Sequence, residues 1–317
     1  MVTARSPLLP NTLAAHEGLT TVWARLYYVH QHHLSSGKRG LLIYGDSGEG
    51  KTFAVKQYQS QFKPHQSDEV VKQPVFYYRL TESKKSVDDL LSMLILALGG
   101  TPVKGKPKAG ELFHQFKTLV NEKGVELLII DEIQQVLPKT DGQRALEMVK
   151  FLCGLIDADD IHTAFVFVGS DRAMRLLTFG QTGNTVDDNE QLSRRMLRPV
   201  KLSRIEPRSA EWVNVVNFFM KFLNYGPLVV PDDAELLDRL YLAYNERAFS
   251  TLEDLFLGDV PPTIKTKTEL LSFLATQFNI TGKGKVNPFN VTAVNSNEIE
   301  IAIEHIQDTY YEELEGV

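Results

Sequence analysis

The sequence predicts an α/β fold in which a parallel sheet is covered by helices and followed by a smaller helical region. Three short apolar runs, ending at Tyr44, Ile130 and Val168, alternate with helix-compatible segments, which is the pattern of a parallel sheet. Each run leads directly into glycine or polar residues, as expected where ligands bind at the ends of parallel strands. Beyond Pro207 the hydrophobic periodicity becomes almost wholly helical.

The elements of the α/β part follow in chain order. A helix is predicted within residues 11–34, because Leu19, Val22 and Leu26 fall on one face. Further elements are predicted as strands at 40–44, 74–80, 125–130 and 163–168, and as helices at 53–62, 87–98, 110–121 and 144–156. We therefore predict an N-terminal helical segment over residues 1–36 and an α/β core over residues 37–206.

The pattern changes from Asp187 onwards. A polar helix is predicted over residues 189–199, and a short strand over residues 200–202. Helices are then predicted at residues 209–223, 233–245, 267–277 and 297–311. Residues 279–297 are rich in Gly, Asn and Lys, so we expect a flexible excursion there. Residues 207–317 are thus predicted to form a helical lid and a C-terminal extension.

A complete phosphate-binding loop follows the first predicted strand. Its residues are Gly45, Asp46, Ser47, Gly48, Glu49, Gly50, Lys51 and Thr52. The glycines let the backbone wrap a polyphosphate and direct its N–H groups at the oxygens, while Lys51 contacts the β- and γ-phosphates and the Thr52 hydroxyl binds Mg²⁺. A glycine-rich segment alone is usually an ordinary loop. The strand before it and the helix after it favour a nucleoside triphosphate, ATP, as the ligand.

A second motif follows at residues 125–132, where an apolar strand ends in Asp131 and Glu132, a Walker B pattern. Asp131 is predicted to hold Mg²⁺ directly or through water, and Glu132 to orient and deprotonate the attacking water. A buried strand that ends in two acids is also common in α/β proteins that hydrolyse nothing. The two motifs in this order favour ATP hydrolysis, and Glu132 makes a small-molecule phosphotransferase the least favoured alternative.

Three further polar residues are candidates for the same site. Ser170 follows the third predicted strand, where it would sense the γ-phosphate, although a serine that caps the next helix gives the same sequence. Arg194 and Arg195 form an adjacent pair late in the core, where an arginine often stabilises transition-state charge in a neighbouring subunit's site. A surface salt-bridge pair is the alternative.

Composition limits the classes of partner. The chain has 317 residues and a net charge of −6, so it is unsuited to coating nucleic acid over its whole surface, and any DNA contact must be local. Lys104, Lys106 and Lys108 form one candidate patch, which could equally be a solvated loop.

The first ten residues lack a signal-peptide core, and no apolar run approaches the roughly 20 residues of a membrane span. We therefore expect a cytoplasmic protein with no membrane partner.

Cysteine and histidine usage suggests no structural metal. Cys153 lies in an apolar helical run, so we predict that it fills the core. His30, His32 and His33 cluster, but no cysteine or acidic residue stands at ligand spacing beside them. A solvated helix face is the preferred interpretation.

Four runs together resemble a known family. They are residues 45–52, residues 128–134 with the sequence Leu-Ile-Ile-Asp-Glu-Ile-Gln, residues 165–171 ending in Gly-Ser-Asp, and residues 189–192 ahead of the arginine pair. In this order they resemble the TnsC/TniB group of AAA+ ATPases, which regulate DNA transposition. The resemblance spans residues 11–257. The phosphate loop is generic, whereas the Asp-Glu-Ile-Gln run and the Gly-Ser-Asp turn are more discriminating.

This resemblance implies an AAA+ P-loop ATPase core that acts as a switch. Members polymerise with ATP on duplex DNA as rings or helical filaments, contact the DNA backbone without reading sequence, and present the target to a DDE transposase. Some are recruited by a TniQ-type adaptor or a CRISPR effector. By family position, Lys104, Lys106, Lys108, Lys139 and Arg144 would lie on DNA. Arg195, and less directly Arg194, would reach the neighbour's γ-phosphate, and hydrolysis would drive disassembly.

Two departures from the family pattern are visible. Where many AAA+ lids carry a sensor arginine, this chain has Thr251, so either Arg247 one turn earlier takes that role or the role is missing. Residues from 259 onwards match nothing in the family pattern. A P-loop ATPase module of signalling or defence that assembles on a protein partner therefore remains the alternative function.

Overall fold

The computed structural model describes residues 16–34, 39–67, 70–81, 86–103, 110–138, 142–178, 192–256, 264–282 and 286–315. The chain divides into two compact units. Among the described residues, the first unit comprises Gly18–Asp46 and Lys51–Leu202, and the second comprises Ser47–Gly50, Ser203–Val317 and the residues just before Gly18. The predicted boundaries at residues 36 and 206 stay predictions.

The first unit is built on a parallel sheet. The strands of the chain are β1 (Gly40–Tyr44), β2 (His65–Ser67), β3 (Val70–Lys72), β4 (Val75–Arg79), β5 (Leu127–Asp131), β6 (Ala164–Gly169) and β7 (Val200–Lys201). Five of them form one sheet in the order β4-β5-β6-β1-β7, and every neighbouring pair in it is parallel. All residues of β5 and β6 are buried, because helices cover both faces of a parallel sheet. The predicted α/β fold is confirmed.

Helices flank this sheet. They are α1 (Glu17–Gln31), α2 (Lys51–Ser60), α3 (Val87–Ala97), α4 (Glu111–Glu122), α5 (Gln143–Asp157) and the single turn α6 (Arg175–Thr178). The side chains that fill the space between helices and sheet include Leu42, Leu94, Phe116, Ile130 and Phe165, all fully buried. The apolar positions that predicted α1, among them Val22 and Leu26, are buried as expected.

Two features of the first unit differ from the sequence prediction. Strands β2 and β3 form an antiparallel hairpin that was not predicted, because three-residue strands with exposed valines give no clear alternation. The polar helix predicted over residues 189–199 is, within its described part, a single 3₁₀ turn, Leu192–Arg195. After this turn, Met196 forms an isolated parallel bridge with Gly40, the first residue of β1.

The second unit is helical, as predicted. Its helices are α7 (Ala210–Met220), α8 (Ala234–Arg247), α9 (Phe249–Phe256), α10 (Lys267–Thr281) and α11 (Ser296–Glu315). Trp212, Leu240, Tyr244 and Phe278 are buried in its core. The Trp212 indole N–H donates to the carbonyl of Leu237 at 3.1 Å, so the largest buried side chain is also satisfied. Helix α9 was not predicted as a separate element.

The flexible excursion predicted over residues 279–297 is wrong for the part that the structure describes. Phe289 is buried in the helical core. The Asn287 side-chain amide donates to the carbonyl of Ala275 at 2.8 Å. The buried guanidinium of Arg239 donates to the carbonyls of Pro288 and Val294. A polar segment is therefore held in place by side-chain contacts with its backbone, which composition alone does not reveal.

The single cysteine and one histidine of the cluster are buried. Cys153 is buried, as predicted. His30 is buried between Tyr58 and Glu126, with each ring nitrogen 3.0 Å from an oxygen, so a solvated face is the wrong description of this residue. Within the described ranges, no group of three or more potential ligands could hold a metal ion, and no helix is long and apolar enough to cross a membrane.

Candidate nucleotide site

Strand pairing brings the predicted site residues to one edge of the sheet. Tyr44, the last residue of β1, pairs with Gly169, and Asp131, the last residue of β5, pairs with Val168. The phosphate loop, Glu132 and Ser170 therefore all begin at the carboxyl ends of adjacent parallel strands. This edge is where ligands bind in open α/β sheets.

The backbone of the phosphate loop requires glycine at several positions. Gly48 and Gly50 have φ values of +93° and +82°, in the left-handed region that side chains disfavour. A Cβ on Gly45 would collide with the carbonyl of Leu202. The Lys51 ammonium donates to the carbonyls of Gly45, at 2.8 Å, and Asp46. In a loop with this conformation the backbone N–H groups can point towards the oxygens of a polyphosphate.

The tip of the loop, Ser47–Gly50, belongs to the second unit and is held there by Glu49. The Glu49 side chain is 1% exposed, with Arg204 Nε 3.4 Å from Oε1 and the Tyr244 hydroxyl 3.4 Å from Oε2. The Phe249 N–H donates to the carbonyl of Gly48 at 3.2 Å. Burial and the Glu49 charge raise the pKa of Tyr244, so its hydroxyl stays protonated as a donor. The sequence predicts Glu49 as part of the loop but does not predict this contact.

The predicted metal ligands are in contact. Thr52 Oγ1 donates to Oδ2 of the buried Asp131 at 2.7 Å. Tyr77 Oη donates to the same Oδ2 atom at 2.8 Å, and burial together with this bond raises the pKa of Tyr77. Hydroxyl and carboxylate oxygens are ligands that suit Mg²⁺, so the residues present fit that ion. Tyr77 was not predicted, because its position beside Asp131 depends on the pairing of β4 with β5.

Glu132 adopts an unusual backbone conformation, with φ at +60°. Such strain in a non-glycine residue is typical of functional sites. Its Oε1 atom lies 3.2 Å from the Arg79 guanidinium, and its Oε2 atom accepts a hydrogen bond from the Gln134 amide. Arg79 ends β4 opposite Asp131. Neither Arg79 nor Gln134 was predicted as a site residue, although Gln134 belongs to the run that carries the family resemblance.

Ser170 begins the short 3₁₀ helix Asp171–Met174, but its side chain makes no capping hydrogen bond there. Its backbone N–H instead donates to Gln134 Oε1 at 3.2 Å. The geometry therefore gives no support to the capping interpretation of this serine. Its role as a γ-phosphate sensor stays a prediction.

The two arginines of the predicted finger lie in the turn Leu192–Arg195. The Arg195 Nε atom is 2.6 Å from Asp157 Oδ2, at the C-terminal end of α5, whereas Arg194 is exposed. The paired state of Arg195 agrees with the salt-bridge alternative, and the finger role of both stays a prediction. In the second unit Thr251 is buried, and Arg247 pairs with Asp254.

The predicted DNA contacts fall mostly outside the described residues. Lys104, Lys106, Lys108 and Lys139 all lie there. Arg144 is exposed in the first turn of α5, where it lines a shallow cavity together with Asp88 and Glu147. Two acids beside Arg144 weaken the local positive potential that a DNA phosphate would meet.

Part of this chain is similar in sequence to a known family, and its fold is similar to a solved structure. Residues 32–177 match the family described as AAA domain. The ORC1 protein of Aeropyrum pernix, solved in complex with DNA, has a TM-score of 0.51 at 16% identity, over 85% of this chain and 68% of that chain. At this identity the likeness shows the fold.

Two further solved structures give lower scores. A Walker-type ATPase of Pyrococcus abyssi has a TM-score of 0.48 at 12% identity, over 99% of this chain and 78% of that one. AMPPCP-bound DnaA of Aquifex aeolicus has a TM-score of 0.40 at 16% identity, covering 98% of this chain and 96% of that one. No curated protein sequence matched significantly.

The matched segment contains the sheet strands β1, β4, β5 and β6 with both nucleotide motifs. Residues 32–177 are thus similar to the AAA domain over slightly less than half of the chain, and the five-stranded parallel sheet with its phosphate loop shows a P-loop ATPase fold.

Proposed function

We propose that this protein is an ATP-dependent switch that assembles on duplex DNA and regulates DNA transposition. In this proposal ATP and Mg²⁺ bind at the phosphate loop with Lys51, Thr52 and Asp131. Several copies form a ring or helical filament on the DNA backbone and present the target site to a DDE transposase. A TniQ-type adaptor or a CRISPR effector would recruit it, and hydrolysis would release the assembly.

The observation that carries the ATPase part is the arrangement at the edge of the sheet. Thr52 Oγ1 lies 2.7 Å from Asp131 Oδ2. Glu132 follows Asp131, and its carboxylate contacts the side chains of Arg79 and Gln134. Metal ligands and a general base gathered at the carboxyl ends of parallel strands are what phosphoryl transfer to water requires. Glu132 is accordingly assigned as the base that activates water.

The regulatory part rests on the family resemblance, and one contact supports it. The two more discriminating runs of that resemblance are Asp-Glu-Ile-Gln and Gly-Ser-Asp. They are joined in the structure by the hydrogen bond from the Ser170 N–H to Gln134. The two runs that distinguish the resemblance from a generic phosphate loop are thus in contact within one site. This contact supports a mechanism shared with the TnsC/TniB group.

The DNA part is supported by the fold likeness to ORC1, which was solved in complex with DNA. A net charge of −6 disfavours nucleic-acid binding by a single copy. In a filament, a few lysines from each subunit line up into one positive track that contacts phosphates without reading sequence. The proposed contacts are Lys104, Lys106, Lys108 and Lys139, together with Arg144, which lies beside two acids.

The deciding experiment is imaging of the purified protein by negative stain, with duplex DNA and with a non-hydrolysable ATP analogue. Four samples are needed, with both ligands, either one, or neither. We expect rings or filaments only with both ligands. A protein that stays monomeric with both would refute the proposal.

A variant separates the DNA proposal from the alternative of a signalling or defence module that assembles on a protein partner. Replacement of Lys104, Lys106 and Lys108 by alanine should abolish DNA-stimulated assembly. Lys63→Ala with Lys72→Ala and Lys123→Ala is the matched control, because it removes the same charge elsewhere. Full activity of the first triple variant would favour the protein-partner module.

A further inference from the structure

The side-chain amide of Gln134 connects two parts of the nucleotide site. Its Nε2 atom donates a hydrogen bond to Glu132 Oε2. Its Oε1 atom accepts a hydrogen bond from the backbone N–H of Ser170 at 3.2 Å. One amide therefore links the acid after β5 to the residue after β6, and every residue of β5 pairs with β6.

The chemistry of the two partners fixes which way the amide points. A backbone N–H can only donate, and an ionised carboxylate can only accept. The carbonyl end of Gln134 must therefore face Ser170, and the NH₂ end must face Glu132. Among side chains of this shape, glutamine alone satisfies both partners, because glutamate would place a second negative charge against Glu132 and leucine would satisfy neither.

The surrounding backbone is arranged around this amide. A Cβ on Gly169 would collide with Gln134 Oε1 and with the Ala173 side chain, so only glycine leaves room for the amide at the end of β6. Glu132 is held at φ +60°, and its other carboxylate oxygen is 3.2 Å from Arg79. Each oxygen of the proposed base is thus oriented by a donor from a different element.

We propose that Gln134 is a positioning residue that couples the end of β6 to the carboxylate of Glu132. This inference rests on the proposed ATPase function. When a γ-phosphate contacts Ser170, a shift of its backbone N–H is transmitted through the rigid amide to Oε2 of Glu132. The direction of the base towards the attacking water then depends on the presence of the γ-phosphate, so hydrolysis is confined to a correctly bound triphosphate.

The test uses two substitutions, Gln134→Leu and Gln134→Glu, with Gln135→Leu as the matched control at the next position. ATP affinity is measured by equilibrium binding, and turnover is measured separately under saturating ATP. We expect Gln134→Leu to bind ATP within twofold of the wild type and to lose about 10- to 100-fold in kcat, the usual effect of a misplaced reacting group. The control should keep both values.

The split between ATP binding and turnover is the readout that a purely structural role would not give, because a disturbed fold would weaken both together. Gln134→Glu loses the donor to Glu132 and places a second carboxylate against it, so we expect the same split in this variant. Wild-type turnover in Gln134→Glu would overturn the coupling.

Glu132→Gln distinguishes failure of this inference from failure of the proposed function. If Glu132→Gln is inactive while Gln134→Leu turns over ATP at the wild-type rate, the coupling is wrong and the ATPase assignment stands. If Glu132→Gln keeps wild-type turnover, both are wrong. A loss of ATP affinity in Gln134→Leu that matches its loss of turnover would indicate a structural role and overturn the coupling.

Discussion

Tyr77 donates a 2.8 Å hydrogen bond to Oδ2 of Asp131, the same oxygen that Thr52 contacts at 2.7 Å. Asp131 Oδ1 accepts the backbone N–H of Glu132 at 2.8 Å, so both oxygens of this buried carboxylate are oriented. Side chains that orient a metal ligand from outside the coordination sphere commonly govern metal affinity.

Tyr77→Phe should therefore weaken Mg²⁺ binding at the nucleotide site. Loss of an orienting hydrogen bond of this kind typically costs about 10-fold or more in metal affinity. The measurement is a Mg²⁺ titration of ATP turnover and of ATP binding, with metal-free nucleotide binding as the internal reference. Tyr28→Phe, an exposed tyrosine on α1, is the control. Identical Mg²⁺ curves for the two variants would contradict the assignment.

Arg79→Ala should raise basal ATP turnover. The Arg79 guanidinium lies 3.2 Å from Glu132 Oε1 and so occupies a carboxylate oxygen that a general base must offer to the attacking water. Because the Arg79 side chain is 54% exposed, the pair is worth at most about 1 kcal/mol, and the increase should stay within about fivefold. Steady-state hydrolysis without DNA is the measurement, with Arg25→Ala on α1 as the control. A fall in turnover would contradict this prediction and mean that Arg79 either orients Glu132 productively or acts directly on the phosphates.

Arg204→Met alone should destabilise the second unit more than Arg204→Met combined with Glu49→Gln does. Arg204 Nε is 3.4 Å from a carboxylate that is 1% exposed, so its removal leaves a buried charge. We expect a loss of about 2 kcal/mol, less than for a fully buried pair because Arg204 is 33% exposed. Chemical denaturation followed by Trp fluorescence measures the change. Equal stability of the single and double variants would contradict the prediction that Arg204→Met leaves an uncompensated buried charge on Glu49.

His16 should make the second unit acid-sensitive. It is buried and stacked on Phe249, and burial lowers its pKa to about 4 from a usual value of 6.5. The unfolded chain therefore binds more protons, so stability falls as pH drops below about 6.5 and the loss is complete below about 4, at about 3 kcal/mol. His16→Gln should remove this dependence. The measurement is the free energy of unfolding of both proteins between pH 7 and pH 4. An equal change with pH in the wild type and in His16→Gln would contradict the prediction.

The sequence predicted those parts of the site that depend on local order along the chain. Lys51 and Thr52 follow strand β1 within one loop, and Asp131 ends a recognisable apolar strand, so each could be placed from its neighbours. Tyr77 and Arg79 could not, because their proximity to Asp131 requires β4 to pair with β5 in the observed register. Nothing in the local sequence of β4 specifies that partner.

The second unit shows the same limit in a different form. Its helical class followed from periodicity, yet the packing of residues 286–295 did not, because Asn287 and Arg239 hold that segment by contacts with distant backbone carbonyls. Gly, Asn and Lys composition predicts a loop without predicting whether other parts of the chain bind it. The same applies to Glu49, whose partners Arg204 and Tyr244 are over 150 residues away along the chain.

Strand β1 pairs with β6 on one side and β7 on the other, although both follow it by more than 110 residues. During synthesis, a nascent chain that has not reached residue 164 already contains the entire phosphate loop, but the strand that supports the loop has no partner on either side. Closing such long loops is entropically costly and slow. Competence to bind nucleotide should therefore appear late, only after β6 has left the ribosome, and a chain arrested earlier would expose β1 to aggregation.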